Sequence, residues 1–197
     1  MTSAETDTMP GPGTVLSVNL SPQKGTRKTR RTCATLQLNR GFETDAHAGD
    51  WHRQVSLLAQ ESIDTMVAKG LDVGPGDFAE NITTTGIDLL ALPVGSVLRV
   101  GDGALLEISQ IGKVCRAHCA IYFQAGECVM PREGLFAVVR EASDVKVGDT
   151  VVVVLLGDGT CDRTPQEAID EFARERVAEA EAEAAKAAGR GNATKKE

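Results

Sequence analysis

Aromatic side chains are scarce in this chain: five Phe, one Tyr and one Trp amount to 4% of 197 residues. Any core has to be filled by Val, Leu, Ile and Ala. Long apolar runs are missing as well. The longest, Val151 to Leu156, is strand-sized, far short of the roughly 20 residues a membrane-spanning helix needs. No membrane span is expected. The opening residues, MTSAETDTMPGPG, carry neither the basic nor the apolar segment of an export signal. That predicts a cytoplasmic protein with reduced thiols. Five cysteines are an odd number, which suits a disulfide framework poorly. Positive charge is in deficit: 21 Lys and Arg stand against 28 Asp and Glu, a net charge of −7. Binding along a nucleic acid needs a basic face, so no nucleic acid is expected. Neither GxGxxG nor a Walker loop occurs, which removes the common glycine-rich phosphate cradles.

What is present is a series of short apolar segments divided by turn residues. Residues 1–12 are polar, with Pro and Gly, and are expected to be disordered. Strands are predicted at 15–18, 33–38, 81–84, 97–100, 105–109, 120–123, 135–140 and 151–155. Pro93-Val94-Gly95, Gly101-Asp102-Gly103 and Val147-Gly148-Asp149 punctuate them. Many short strands with regular turns predict a mainly β fold, a barrel or sandwich. One internal helix is predicted over 56–69. There Val55, Leu58, Ile63, Met66 and Val67 recur at near-helical spacing, and Gly70 is the stop. Thr164-Pro165-Gln166-Glu167 reads as a capping box, so a C-terminal helix should run from there to about Ala188. Ile169, Phe172 and Val177 give its first half an apolar stripe. Its second half is Ala and charge with no apolar face, which either projects into solvent or serves as a partner-binding helix. The domain is expected to span 13–157, with 158–197 as helix and tail.

The densest chemistry lies in Gln110 to Cys119, QIGKVCRAHC, with Cys128 close behind. A thiol beside fixed positive charge tends toward thiolate, both a nucleophile and a soft-metal ligand. Cys115, between Lys113 and Arg116, is the candidate. Cys115, His118, Cys119 and Cys128 also offer zinc donors, though without a second close pair. A small zinc-stabilised β protein is therefore one alternative. Burial of Cys119 and Cys128 as small apolar side chains is another. His47 and His52 lie in a polar loop, Asp45 to Gln54, where a histidine serves as ligand, acid–base group or hydrogen-bonding residue. Lys24 to Arg31 is the one strongly cationic run in an acidic chain, and Arg suits two-pronged contact with phosphate.

Six segments, in order, resemble the MOSC domain. They are SPQKGTRK (21–28), GFETDAHAGDWHRQ (41–54), PGDFAENITT (75–84), LPVG (92–95), QIGKVC (110–115) and CVMPREGLF (128–136). This domain is the C-terminal module of eukaryotic molybdenum cofactor sulfurases and also occurs as small free-standing bacterial proteins. The resemblance covers about residues 13–155. It departs at Thr44, where small bacterial members commonly carry Gly, and at Phe-Ala-Glu-Asn (78–81), where they read Phe-Gly-Glu-Asn. It implies a mainly β, barrel-like fold that binds the molybdenum cofactor, a molybdenum-bearing molybdopterin. The signature cysteine falls on Cys115, which implies a sulfur carrier through a persulfide, or a direct molybdenum ligand. Lys24, Arg27, Lys28, Arg53, Lys113 and Arg132 are candidates for the charge of the anionic pterin. His47, His52, Glu80 and Asn81 complete the implied cofactor-binding set. The function implied is cofactor sulfur transfer or molybdenum-dependent oxotransfer. The alternative is a non-catalytic carrier that delivers cofactor. Implied partners are a sulfur donor or a cofactor-accepting protein. The pyridoxal phosphate desulfurase of the large sulfurases is a separate domain for which this chain has no room, so no pyridoxal phosphate is expected.

Overall fold

The structure is a computed structural model that describes residues 9–115 and 120–171, and beyond these 173, 174, 177, 178, 180, 181 and 184. The readings made for residues 1–8, Arg116, His118, Cys119, Phe172 and the tail past 184 lie outside the described residues. The chain forms two compact units, residues 1–164 and 165–197. The second is helical from Gln166, and its described helical residues reach 184. The capping box foreseen at Thr164 has another use for its hydroxyl, which donates to the Ser109 carbonyl at 2.6 Å. No helix among the described residues is long and apolar enough to cross a membrane.

The first unit is a closed barrel. Strands β1 (Gly13–Leu20), β6 (Ile82–Thr85), β5 (Val55–Ala59), β9 (Leu135–Glu141), β8 (Ala104–Ile111), β7 (Val97–Val100) and β11 (Thr150–Leu155) are hydrogen-bonded in that order. Pairs Gly13–Val151 and Thr14–Thr150 bring β11 back onto β1 and close seven strands into a ring. Closure removes the free edges that invite aggregation. Neighbours in the ring are antiparallel except β5 and β6. Strand β2 (Thr29–Arg31) extends β1 outside the ring. A side sheet combines β3 (Cys33–Gln37), β4 (Gly41–Phe42) and β10 (Asp144–Lys146). The mainly β barrel expected from the sequence is the fold observed.

Two cores flank the barrel wall. The interior is aliphatic, with Val15, Leu57, Leu98, Leu106, Ile108 and Val139 fully buried and Phe42 as its one ring. A smaller outer core packs Ile63 and Met66 of helix α1 (Gln60–Ala68) against Leu58, Phe78, Met130 and Phe136. Strand β5 serves both: Val55, Leu57 and Ala59 face inward, while Leu58 faces α1.

This double burial corrects the helix read over 56–69. Val55 and Leu58 stand three apart, as on one helix face, yet they lie on opposite faces of a strand. All five residues of β5 are buried. A short apolar run does not distinguish a two-sided strand from a helix by its period. The helix is confined to Gln60–Ala68. The strand expected at 120–123 is also corrected. It is helix α2 (Ala120–Ala125), closed by Gly126 at φ +74°, whose N–H bonds the Tyr122 carbonyl at 2.7 Å. The ring is already closed, so no barrel edge was open to this segment. Helix α3 (Met130–Glu133), β4 and β10 are too short to announce themselves in the sequence.

Leu57→Ala and Leu58→Ala should each cost about 2–5 kcal/mol, the range for emptying a buried leucine site. Urea unfolding checks it. A near-neutral Leu58→Ala would mean that the outer core does not hold α1 to the wall.

Candidate functional site

The loop from Asp45 to Arg53 is organised by one carboxylate. Asp45 Oδ2 accepts the Lys28 ammonium at 2.5 Å and the Ser21 N–H at 3.0 Å. Its Oδ1 accepts the His47 N–H at 3.0 Å and lies 3.3 Å from His47 Nδ1. The side chains of Lys28 and Asp45 are each 1% exposed, that of His47 28%. Burial pushes the Asp45 carboxyl upward, but the hydrogen bonds from His47 and Lys28, the Lys28 charge and the Ser21 N–H outweigh it. The carboxyl is held well below the usual range. Burial lowers the Lys28 pKa against the pull of Asp45 and Glu80, and the Lys113 charge lowers it further. Lys28, Asp45, His47, Glu80 and Lys113 thus share one electrostatic neighbourhood.

The next turn of this loop is fixed by a β-bulge. Across β8 and β9 the register passes from Ile108–Ala137 to Gln110–Phe136, leaving Ser109 as the extra residue. Bulges re-aim side chains in this way. The Ser109 hydroxyl donates to the His52 carbonyl. Gln110 Nε2 donates to the Gly112 carbonyl at 2.7 Å, so its Oε1 is left to accept from His52 Nε2 at 2.8 Å. Burial keeps His52 toward its neutral form, opposed by the Gln110 bond and aided by the Arg53 charge. Arg53 then lies over two rings, 5.0 Å from the Trp51 centroid and 5.7 Å from that of Phe136. Lys24 Nζ is 5.8 Å from the Trp51 centroid. Trp51 and Phe136 were missed as site residues from the sequence. The signal available was the sole tryptophan set between a histidine and an aspartate in a polar loop.

The loop 74–81 closes over Lys28. The Lys28 N–H donates to the Gly76 carbonyl at 2.9 Å. Gly76 has φ +92°, and a Cβ there would meet the Lys28 carbonyl oxygen at 2.5 Å. Glu80 is fully buried. Its Oε1 accepts the Gly76 N–H at 2.5 Å and the Thr83 hydroxyl at 2.8 Å, while Oε2 has no hydrogen-bond partner. Burial raises its pKa against those two bonds. Asn81 belongs to the frame: Oδ1 accepts from Ser56 N–H and Oγ, and Nδ2 donates to the Asn19 carbonyl. Arg27, at 61% side-chain exposure, pairs with Asp77 at 3.3 Å.

The cysteine segment leaves β8 through Gly112, whose N–H bonds the Gly134 carbonyl, and Lys113, whose N–H bonds the Pro131 carbonyl. Cys115 is exposed two residues further on. Arg132 is exposed on α3. Cys128 packs against the outer core. No disulfide joins the four described cysteines to one another. For the zinc alternative, His118 and Cys119 lie outside the described residues. Among those described, the group of three potential metal donors is Glu107, Cys161 and Asp162, within 4.8 Å of one another. Arg140 already bridges its two carboxylates, so a guanidinium holds the place of a cation there.

The two departures from the family pattern differ in consequence. Among the described non-glycine residues only Asn39 and Ala79 have positive φ, so Thr44 carries no such strain. Ala79, at φ +63°, sits in the left-handed region that favours glycine. Ala79→Gly should raise stability by up to about 1 kcal/mol, the relief of that strain less the added freedom of the unfolded chain. Chemical denaturation reads the gain, and a loss would refute the strain. Asp45→Asn should cost about 3–5 kcal/mol near neutral pH, because it leaves Lys28 buried without its counter-charge. The depressed Asp45 pKa contributes stability that is present above its unfolded value of about 3.9 and is lost as pH falls through the folded one. The variant should therefore lose less stability between neutral pH and pH 3 than the parent does, as unfolding at the two pH values measures.

The residues present fit an anionic ligand with a thiophilic centre. An exposed soft sulfur, the exposed cations Lys24 and Arg132, the half-buried Lys113 and Arg53 and an aromatic plate occur in a chain that is acidic overall. No curated protein matches the sequence. The profile of the MOSC domain matches residues 44–152. Among solved structures, the YuaD protein of Bacillus subtilis is similar with a TM-score of 0.63 at 16% identity, over 73% of this chain and 96% of that one. YiiM of Geobacillus stearothermophilus gives 0.60 at 15% identity, over 82% and 98%. YiiM of Escherichia coli gives 0.53 at 20% identity, over 82% and 76%. At these identities the structures show a shared fold, and the profile covers more than half of the chain, which belongs to the MOSC domain family, a family linked to the molybdenum cofactor.

Proposed function

We propose that this chain binds a molybdenum-bearing pterin phosphate, with Cys115 as the protein sulfur offered to its metal. The observation that carries the reading is the placement of the thiol. Cys115 is exposed two residues beyond Lys113, at the end of a segment that the Gly112 and Lys113 N–H groups tie to the Gly134 and Pro131 carbonyls. A soft thiolate suits a thiophilic metal. When bound, the group supplies a metal centre able to transfer an oxygen or sulfur atom. The chain's own part is to hold and orient. Lys24, Arg53, Lys113 and Arg132 meet the anionic phosphate, and the buried Lys28–Asp45 pair keeps the 45–53 loop in place. Sulfur transfer and oxotransfer both draw on this arrangement, and a delivery role needs only its binding half.

The test is elemental and pterin analysis of protein made in a cofactor-producing host. Molybdenum and pterin should each approach one per chain. Cys115→Ser should retain pterin and lose molybdenum if the thiol is a ligand. If the thiol is a sulfur carrier, the variant should keep both and lose only cyanide-labile sulfur. Lys113→Glu should weaken pterin retention about tenfold or more, since a charged hydrogen bond contributes roughly 1.5–3 kcal/mol. Zinc near one per chain with no pterin would overturn the reading in favour of a zinc-stabilised β protein.

A further inference from the structure

The last stretch of the first compact unit, residues 157–164, runs from the barrel wall to the site loop. Its first half is pinned beside the start of β7. The Gly157 N–H donates to Ser96 Oγ at 2.9 Å and the Gly159 N–H to the Val94 carbonyl at 3.0 Å. A Cβ on Gly157 would collide with that same Val94 carbonyl, so the chain crosses there as bare backbone. Asp162 then pairs with Arg140 of β9, which also holds Glu107 of β8 at 2.5 Å. The last two residues reach the site. Arg163 pairs with Asp50, and the Thr164 hydroxyl donates to the Ser109 carbonyl at 2.6 Å. Ser109 in turn donates its hydroxyl to the His52 carbonyl. The segment therefore bears on the site loop on both sides of Trp51, directly at Asp50 and through Ser109 at His52.

We propose that residues 161–164 are a strap that sets the loop from 45 to 53, with Arg163 and Thr164 as positioning residues. The strap acts on the loop whatever the site binds, so it goes beyond the cofactor reading and does not depend on it.

The two contacts differ in kind. The Asp50 side chain is 84% exposed and that of Arg163 31%. An ion pair so open to water adds little to stability. What it fixes is where the middle of the loop sits. The Thr164 contact answers a stricter demand. Ser109 is fully buried and stands outside the β8–β9 register. A buried carbonyl needs a donor, and the strap supplies it from outside the sheet. With its carbonyl held, the Ser109 peptide keeps the tilt that aims its hydroxyl at His52. That hydroxyl has a second acceptor in the Phe136 carbonyl, at 3.1 Å. Letting go of His52 leaves it bonded, so the hold on the loop is reversible.

Hydrogen exchange of the full-length protein, read over peptides of the 45–54 region, measures that hold. Acrylamide quenching of Trp51, the sole tryptophan, reads the same loop optically. Thr164→Val keeps the shape and removes the hydroxyl. It should speed exchange over 51–54 about fivefold, the loss of one hydrogen bond, and leave β7 and β11 at the parent rate. Thr164→Ser returns the hydroxyl and should return the parent rate. Arg163→Glu sets like charges against each other at Asp50 and should increase quenching of Trp51. Adding Asp50→Lys to that variant remakes the pair in reverse and should restore the parent's quenching. The proposal is overturned if Thr164→Val exchanges as the parent does over 51–54, or if the Val and Ser variants behave alike. It is equally overturned if the acceleration spreads evenly over the barrel strands, which would make Thr164 a support of the barrel alone, or if the charge swap fails to restore quenching.

Discussion

A lysine and an aspartate buried together carry the arrangement of this site. Lys28 and Asp45 come from opposite ends of the side-sheet excursion between β2 and β4, and they meet with 1% exposure on each side chain. Removing both charges from water is costly, and such a pair is a poor source of net stability. What it supplies is position. The ammonium occupies one oxygen of Asp45, backbone N–H groups from Ser21 and His47 take up much of the rest, and the loop from 45 to 53 has one way to sit. The loop 74–80 completes the enclosure with the Gly76 carbonyl on the Lys28 N–H. Trp51 hangs from the His47 carbonyl, so the plate under Arg53 inherits its place from the same carboxylate.

The barrel provides the second anchor. Closing seven strands leaves little edge to pair with beyond the end of β1 that β2 takes, so the 45–53 loop is held by side chains and by irregularities in the wall. The bulge at Ser109 is such an irregularity. It directs one hydroxyl and one amide at His52, and Arg53 follows directly in the chain. The loop is thereby fixed at its start by a buried ion pair and at its end by a bulge. Neither device depends on a ligand, which is the condition for a preorganised binding site.

The legibility of the sequence followed the physics of each segment. Strand β7, with alternating burial and turn residues at both ends, was readable, and the predicted 97–100 matches it; the predicted 135–140 falls inside β9, although Leu135 to Val139 are all buried there. Strand β5 was not, because both its faces are buried and it runs without a turn into helix α1, so the two were read as one helix. Segment 120–125 was not, because its apolar residues suit either period and only barrel closure decides between them. In the site, the cations could be named from composition, but burial could not. Lys24 and Lys28 stand four apart in one basic run, yet Lys24 is exposed over an indole and Lys28 is sealed against a carboxylate. Asn81 was named with the ligand set and is occupied in joining β1, β5 and the start of β6. Phe136 could not be singled out at all, since its role depends on the bulge opposite it.

The net charge of −7 and the cationic site are parts of one electrostatic design. A uniformly basic surface would attract any polyanion. Here the positive groups are few and are sorted by depth. Lys28 is buried and paired with Asp45, Lys113 and Arg53 are half-buried, and Lys24 and Arg132 are exposed. Burial strengthens charge interactions by lowering the local dielectric, so the half-buried members act on a bound anion more strongly than the exposed ones and are less screened by salt. Under the proposed function, the overall negative charge of the chain disfavours extended polyanions, while a compact anion meets those few cations.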